Sequence, residues 1–177
     1  MADPELARHA QSVASLVTST VARLTNLSDG ERTRIIDAAW LHDIGKLTIA
    51  RETRSKPGPL SEHEWIEMRA HSSLGADFLD QSSALRPLAV IVRHHHERHD
   101  GTGYPNGLSA SDIPLGARIV GVADAYDAMI SWRPYQPARA EADAVAELHR
   151  CSGAQFDPYI VALFLEATAH MRTEDQP

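Results

Sequence analysis

The sequence predicts an all-α fold, and three observations carry that prediction. Apolar residues recur at helical spacing in most segments, helix-start signals precede several of them, and no stretch of useful length alternates apolar with polar residues as a half-buried strand would. No internal repeat and no linker divides the chain, so residues 1–177 are expected to form one domain with short flexible ends at about 1–3 and 173–177.

The first helix opens at Asp3-Pro4-Glu5: Asp3 suits a cap, Pro4 the first helical position, and Glu5 the anion-favouring first turn. It is predicted to run to about Leu24, burying Leu6, Ala10, Val13, Ala14, Val17 and Val21 as one stripe. His9 borders that stripe, one turn after Glu5 on the same face, and reads either as a satisfied core histidine or as a ligand. A capping box, Ser28-x-x-Glu31, starts a second helix that carries Ile35, Ile36, Ala39 and Trp40 into His42-Asp43-Ile44-Gly45-Lys46. Lys56-Pro57-Gly58-Pro59 is a loop by composition, and Ser61-x-x-Glu64 is a second capping box. The helix behind it offers Trp65, Ile66 and Met68 as core candidates and reaches His71, which fits capping and metal ligation equally, before Leu74, Phe78 and Leu79 resume the pattern.

Pro87 begins another apolar helix, with Leu88, Ile91 and Val92, that ends in His94-His95-His96-Glu97-Arg98-His99-Asp100. This is not the His-Glu-x-x-His zinc pattern, because Asp100 stands four residues after His96. The glycine-rich loop 101–107 that follows is no dinucleotide fingerprint, since no strand precedes it. From about Leu115 a helix carries Asp124 and Asp127 on one face among Ile119, Val122, Ala123 and Met129. Carboxylates in such a setting are costly to bury unless paired or metal-bound, with surface exposure the competing account for Asp127. Ser131 to Pro137 is a loop presenting Arg133; a helix over about 139–149 follows, and Asp157-Pro158 caps a last helix to about Met171.

Composition narrows the function. Hydrophobic content of 43% and charged content of 23% are those of an ordinary globular protein. A formal charge of -7 argues against a partner gripped by an overall positive field, so polymeric nucleic acid is not expected and a phosphate ligand must be held by local charges or metals. A single cysteine, Cys151, excludes an internal disulfide framework and fits a reducing cytoplasm. Neither a signal peptide nor a run of about 18 apolar residues is visible, so no membrane association is expected. Ten histidines are the compositional outlier. Neutral imidazoles beside carboxylates suit divalent Fe, Mn, Zn or Ni, and the two oxygens of Asp43 could bridge two ions.

The ordered set of motifs resembles the HD-GYP family of metal-dependent phosphohydrolases. The matching stretches are His42-Asp43-Ile44-Gly45-Lys46, Lys56-Pro57-Gly58-Pro59-Leu60 leading to His71 and Gly75, and His95-His96-Glu97-x-x-Asp100-Gly101-Thr102-Gly103-Tyr104-Pro105. Ala117-Arg118-Ile119, Ala123-Asp124-x-x-Asp127-Ala128, Arg133-Pro134-Tyr135 and Phe156-Asp157-Pro158 complete the set across nearly the whole chain. The resemblance implies a bundle of about seven helices around two or three divalent ions, most readily Fe, and hydrolysis of cyclic di-GMP to pGpG and onward to GMP. It implies His42, Asp43, His71, His95, His96 and Asp124 as metal ligands with Asp43 bridging, His9 as the first-helix histidine, and Glu5 as an additional ligand for a third ion. Metals would lower the pKa of water from 15.7 towards roughly 7 and offset phosphate charge.

Lys46 is expected to assist at a phosphate oxygen or leaving group, and Tyr104, Asp127, Arg133 and Gln136 to line or contact substrate. Gln136 departs from the family, which usually carries a basic residue there, so weakened substrate affinity is expected, and Gln136→Lys should strengthen it. A module that binds a diguanylate cyclase or response regulator with little catalysis, and an HD phosphohydrolase of another nucleotide, are the rival readings. Pairing into a homodimer is compatible with the sequence, although no heptad pattern argues for it.

Overall fold

The computed structural model describes residues 4–131 and 138–174. Among them run nine α-helices: α1 (Pro4–Val21), α2 (Asp29–Leu41), α3 (Arg51–Arg54), α4 (Glu62–Arg69), α5 (His71–Asp80), α6 (Arg86–His94), α7 (Leu115–Ile130), α8 (Glu141–Cys151) and α9 (Pro158–Glu174). Short 3-10 turns cover Ile44–Thr48 and Ala110–Asp112, and no strand occurs among the described residues. The all-α expectation holds. The count exceeds seven because α3 is one turn long and the segment before His71 is split at Ala70 into α4 and α5.

Both predicted capping boxes form. Ser28 Oγ accepts from the Glu31 amide at 3.3 Å while the Ser28 amide donates to Glu31 Oε2 at 2.9 Å, and Ser61 with Glu64 repeats the exchange. Helix α1 stops at Val21 rather than Leu24, because the Arg32 guanidinium donates to the carbonyls of Val21 and Leu24 and ends the ladder there. At the far end of the chain, Asp157 Oδ1 accepts from the Tyr159 amide at 2.8 Å, and its other oxygen takes Arg118 Nη1 at 2.6 Å. That cap therefore also ties the start of α9 to α7.

The core is shared by α1, α2, α5, α6, α7 and α9, with Val13, Val17, Ala38, Leu79, Val92, Ile119, Val122 and Phe164 buried. Tyr126 packs edge-on against Phe164 at 5.1 Å between ring centroids. One core expectation is corrected. Helix α4 buries no residue at all, leaving Trp65 50% and Ile66 69% exposed. The capping box starts α4 locally, but among the described residues nothing packs over it closely enough to bury a side chain.

The turn after α2 is pressed hard onto α5. A Cβ on Gly45 would stand 2.0 Å from the His71 carbonyl oxygen and 2.7 Å from the Gly75 amide nitrogen, so only glycine lets these two segments touch. This close approach brings His42-Asp43 against His71.

Candidate metal centre

Three helix ends and two helix sides converge on a buried cluster of imidazoles and carboxylates. His42 and Asp43 follow the last residue of α2, His71 opens α5, His95 and His96 follow α6, Asp124 sits midway along α7, and His9 points in from α1. Asp43, His71, His95 and His96 each offer one ligand atom within 4.8 Å of the others, and His9, His42 and Asp124 form a second such group. His42, His71 and His95 are almost fully buried.

The ring orientations are fixed from behind. His42 Nδ1 lies 2.7 Å from the Ala39 carbonyl, His71 Nδ1 2.5 Å from that of Met68, and His95 Nδ1 2.7 Å from that of Val92. A carbonyl can only accept, so each Nδ1 carries the proton and each Nε2 keeps its lone pair. Those lone pairs face one another: His71 Nε2 is 3.4 Å from His95 Nε2 and 3.2 Å from His96 Nε2. Converging lone pairs repel unless a cation lies among them.

Asp43 joins the two groups. Its Oδ1 is buried without a hydrogen-bond partner, 3.3 Å from His71 Nε2. Its Oδ2 faces the second group, 3.4 Å from His42 Nε2 and 3.6 Å from His9 Nε2, and accepts from Lys46 Nζ at 2.6 Å. A buried carboxylate oxygen with nothing donating to it is costly. The donor set of nitrogen and oxygen, the converged lone pairs and the orphaned oxygen together fit a pair of divalent cations.

Electrostatics agree with ligation. Burial pulls His95 well below the usual imidazole range, reinforced by His96, His42 and His71, and burial lowers His96 to about 4, so both present neutral, metal-competent rings. Burial opposes ionisation of Asp43, but Lys46, His42 and His71 together hold its carboxyl well below the ordinary value. His9 differs: burial pulls its pKa down, yet hydrogen bonds to Asp124 and Asp127 raise it to about 9.

That difference comes from two carboxylates, Asp124 at 3.1 Å from His9 Nε2 and Asp127 on the other ring nitrogen. His9 Nδ1 is 2.6 Å from Asp127 Oδ2, and Ser12 Oγ and Ser131 Oγ both donate to Asp127 Oδ1, the latter at 3.1 Å. Asp127 is 1% exposed, which removes the surface-exposure account of it. Its hydrogen-bond partners are the side chains of His9, Ser12 and Ser131. Ser12 and Ser131 were not singled out from the sequence. Ser12 stands one turn after His9 on the same face of α1, a spacing that pointed to it.

Tyr104 packs its ring 4.9 Å from that of His96. Its loop is held by Glu97, whose carboxylate accepts the Asn106 amide at 2.7 Å and the Leu108 amide at 3.1 Å, and by the Tyr104 amide donating to the His96 carbonyl at 3.3 Å. His94 turns away to Asn106. A cavity of about 640 Å³ opens beside the cluster, lined among others by His9, Asp43, Lys46, His71, His96 and Tyr104, with Glu5 at its edge. Glu5 is exposed and stands outside both ligand groups. Arg133 and Gln136 lie outside the described residues.

Comparison with known proteins gives a consistent picture. The profile of a family described as HD domain matches residues 1–160. A Xanthomonas campestris protein named cyclic di-GMP phosphodiesterase response regulator RpfG is 43% identical over 160 residues, covering 89% of this chain and 42% of that protein. A Vibrio cholerae protein named 3'3'-cGAMP-specific phosphodiesterase 3 is 37% identical over 164 residues, covering 93% of this chain and 35% of that one. The chain thus spans less than half the length of these relatives. Among solved structures, an HDGYP protein from Bdellovibrio bacteriovorus superposes with a TM-score of 0.75 at 20% identity, covering 93% of this chain and 52% of the other, a likeness of fold.

Proposed function

Because the chain belongs to the HD-GYP branch of the HD-domain family, we propose that it is a metal-dependent phosphodiesterase that hydrolyses cyclic di-GMP to linear pGpG and onward to GMP. The observation that carries this reading is Asp43, buried between two groups of ligand atoms with one oxygen towards each and the Oδ1 unsatisfied. In this reading His71, His95, His96 and Asp43 would hold one ion, and His9, His42 and Asp124, again with Asp43, would hold another. Glu5, at the cavity edge, would join a third. Divalent ions bound there, Fe or alternatively Mn, Zn or Ni, would acidify water and offset charge on the phosphate oxygens.

The chain's own groups do the rest. Lys46 keeps one ammonium proton on Asp43 and has two more to offer a phosphate oxygen or the departing ribose oxygen. Tyr104, its ring tilted over that of His96, would limit solvent on that side of the cavity. Asp127 fixes the His9 ring through Nδ1 so that Nε2 points inward, and as part of the cavity lining it remains a proposed substrate contact. Arg133 and Gln136 remain proposed substrate contacts, as does a diguanylate cyclase or response regulator as protein partner.

The relative named for 3'3'-cGAMP favours one second reading, a related cyclic dinucleotide as substrate. Protein purified anaerobically and supplied with Fe(II) or Mn(II) is to be incubated with cyclic di-GMP, 3'3'-cGAMP and cyclic di-AMP, with products resolved over time. Metal-dependent pGpG and GMP formed fastest from cyclic di-GMP supports the proposal. Faster turnover of 3'3'-cGAMP replaces the substrate, and no turnover of any of the three sinks the enzyme reading in favour of a binding module.

A further inference from the structure

The cavity beside Asp43 is lined by two chemically different sets of side chains: the charged and imidazole groups of Asp43, Lys46, His71 and His96, and the apolar groups of Leu60, Trp65 and Met68. Chemistry on a phosphate uses only the first set. The apolar set calls for an occupant with an apolar face joined to that phosphate.

Trp65 is the unusual residue here. Indoles bury the largest apolar area of any side chain, yet this one is 50% exposed on the cavity wall. Arg69, one helical turn further along α4, holds its guanidinium carbon 5.8 Å from the Trp65 ring centre and 5.5 Å from that of Tyr104. Tyr104 in turn lies against His96. A continuous layer of flat groups therefore runs from a candidate metal ligand out to Trp65.

We propose that Trp65 and Arg69 form a nucleobase subsite in which the indole stacks on a purine and the guanidinium donates to its edge, selecting guanine. This rests on the reading of the site as one for a cyclic guanine dinucleotide and names where a base of that substrate goes. Stacking on an aromatic ring is open to every base, because every base has a π face. The guanidinium supplies the selectivity: guanine presents two acceptors, N7 and O6, to its planar pair of donors, whereas adenine replaces O6 with a donor amine. The cation contacts with both rings hold Arg69 ready for that edge.

The test uses GMP, AMP and inorganic phosphate, titrated calorimetrically into the Mn(II)-loaded protein. The wild type binds GMP about tenfold tighter than AMP. Trp65→Ala weakens GMP binding about ten- to hundredfold, and Trp65→Phe restores most of it. Arg69→Ala brings GMP to the level of AMP, and phosphate binding is unchanged in all three variants. Trp65 is half exposed, so its truncation leaves no core void to confuse the result. Wild-type GMP affinity in Trp65→Ala, equal loss of GMP and phosphate, or no preference for GMP over AMP in the wild type overturns the subsite. Hydrolysis measured in parallel separates the two claims. Binding of GMP through Trp65 without turnover of any cyclic dinucleotide overturns the phosphodiesterase reading alone, whereas turnover of cyclic di-GMP with an unchanged KM in Trp65→Ala overturns the subsite alone.

Discussion

At the scale of single residues, the site depends on groups that hold other groups. Asp127 touches His9, Ser12 and Ser131 and gives His9 a charged partner where His42, His71 and His95 have carbonyls. Replacing it with asparagine keeps the shape and removes the charge. Asp127→Asn is expected to lower metal affinity about 10- to 100-fold, read by competition with a chelator, with the helical circular dichroism unchanged. Unaltered affinity would remove Asp127 from the positioning role. The residues that converge in the cluster were named in the sequence through the family resemblance, with His42-Asp43 and His95-His96 standing out as adjacent pairs after apolar helices. Asp127's partnership was not, since His9 lies 118 residues away and no local pattern connects them. The spacing of Asp124 and Asp127 placed both on one face of α7 but could not say that one faces the cluster and the other backs up His9.

At the scale of elements, local signals were readable and packing was not. Ser28 with Glu31 and Ser61 with Glu64 start their helices as read, because a capping box is complete within four residues. The end of α1 depends on Arg32 from the next helix, and the exposure of Trp65 on α4 depends on what does not pack over it. Two predictions belong here. Gly45→Ala sets a methyl against the His71 carbonyl and the Gly75 amide, both backbone, so the turn and α5 must part; a loss of at least about 3 kcal/mol is expected in denaturant unfolding. A loss below about 1 kcal/mol would show that the turn yields freely.

The second concerns Asp157. Burial raises its pKa, but Arg118 and the amides of Tyr159 and Ile160 outweigh this and hold it below the ordinary value. A depressed carboxylate stabilises the fold above its unfolded pKa of about 3.9 and loses that contribution as pH falls through the folded value. Asp157→Asn should therefore cost about 1–2 kcal/mol at pH 7, and the gap in Tm to the wild type should close below about pH 4. A gap that persists in acid would assign the effect to something other than the charge.

At the scale of the whole molecule, the bundle serves to bring helix ends from distant parts of the chain to one point. The all-α class was legible throughout, and no helix among the described residues is long and apolar enough to cross a membrane. The dense buried cluster of imidazoles and carboxylates opposes the fold unless cations lie within it, so ligand binding and stability are coupled. Adding Mn(II) at about 100 times its dissociation constant should stabilise the protein by about 2.7 kcal/mol per site, seen as a rise in Tm that a chelator reverses. The most direct test of the account is the metal content of the protein, measured by elemental analysis after loading with Fe(II) or Mn(II) and removal of excess, for the wild type and for Asp43→Asn. The account predicts at least two ions per chain in the wild type, and fewer than two in the variant because asparagine cannot offer an anionic oxygen to each group. Fewer than two ions in the wild type, or an undiminished content in Asp43→Asn, would contradict it.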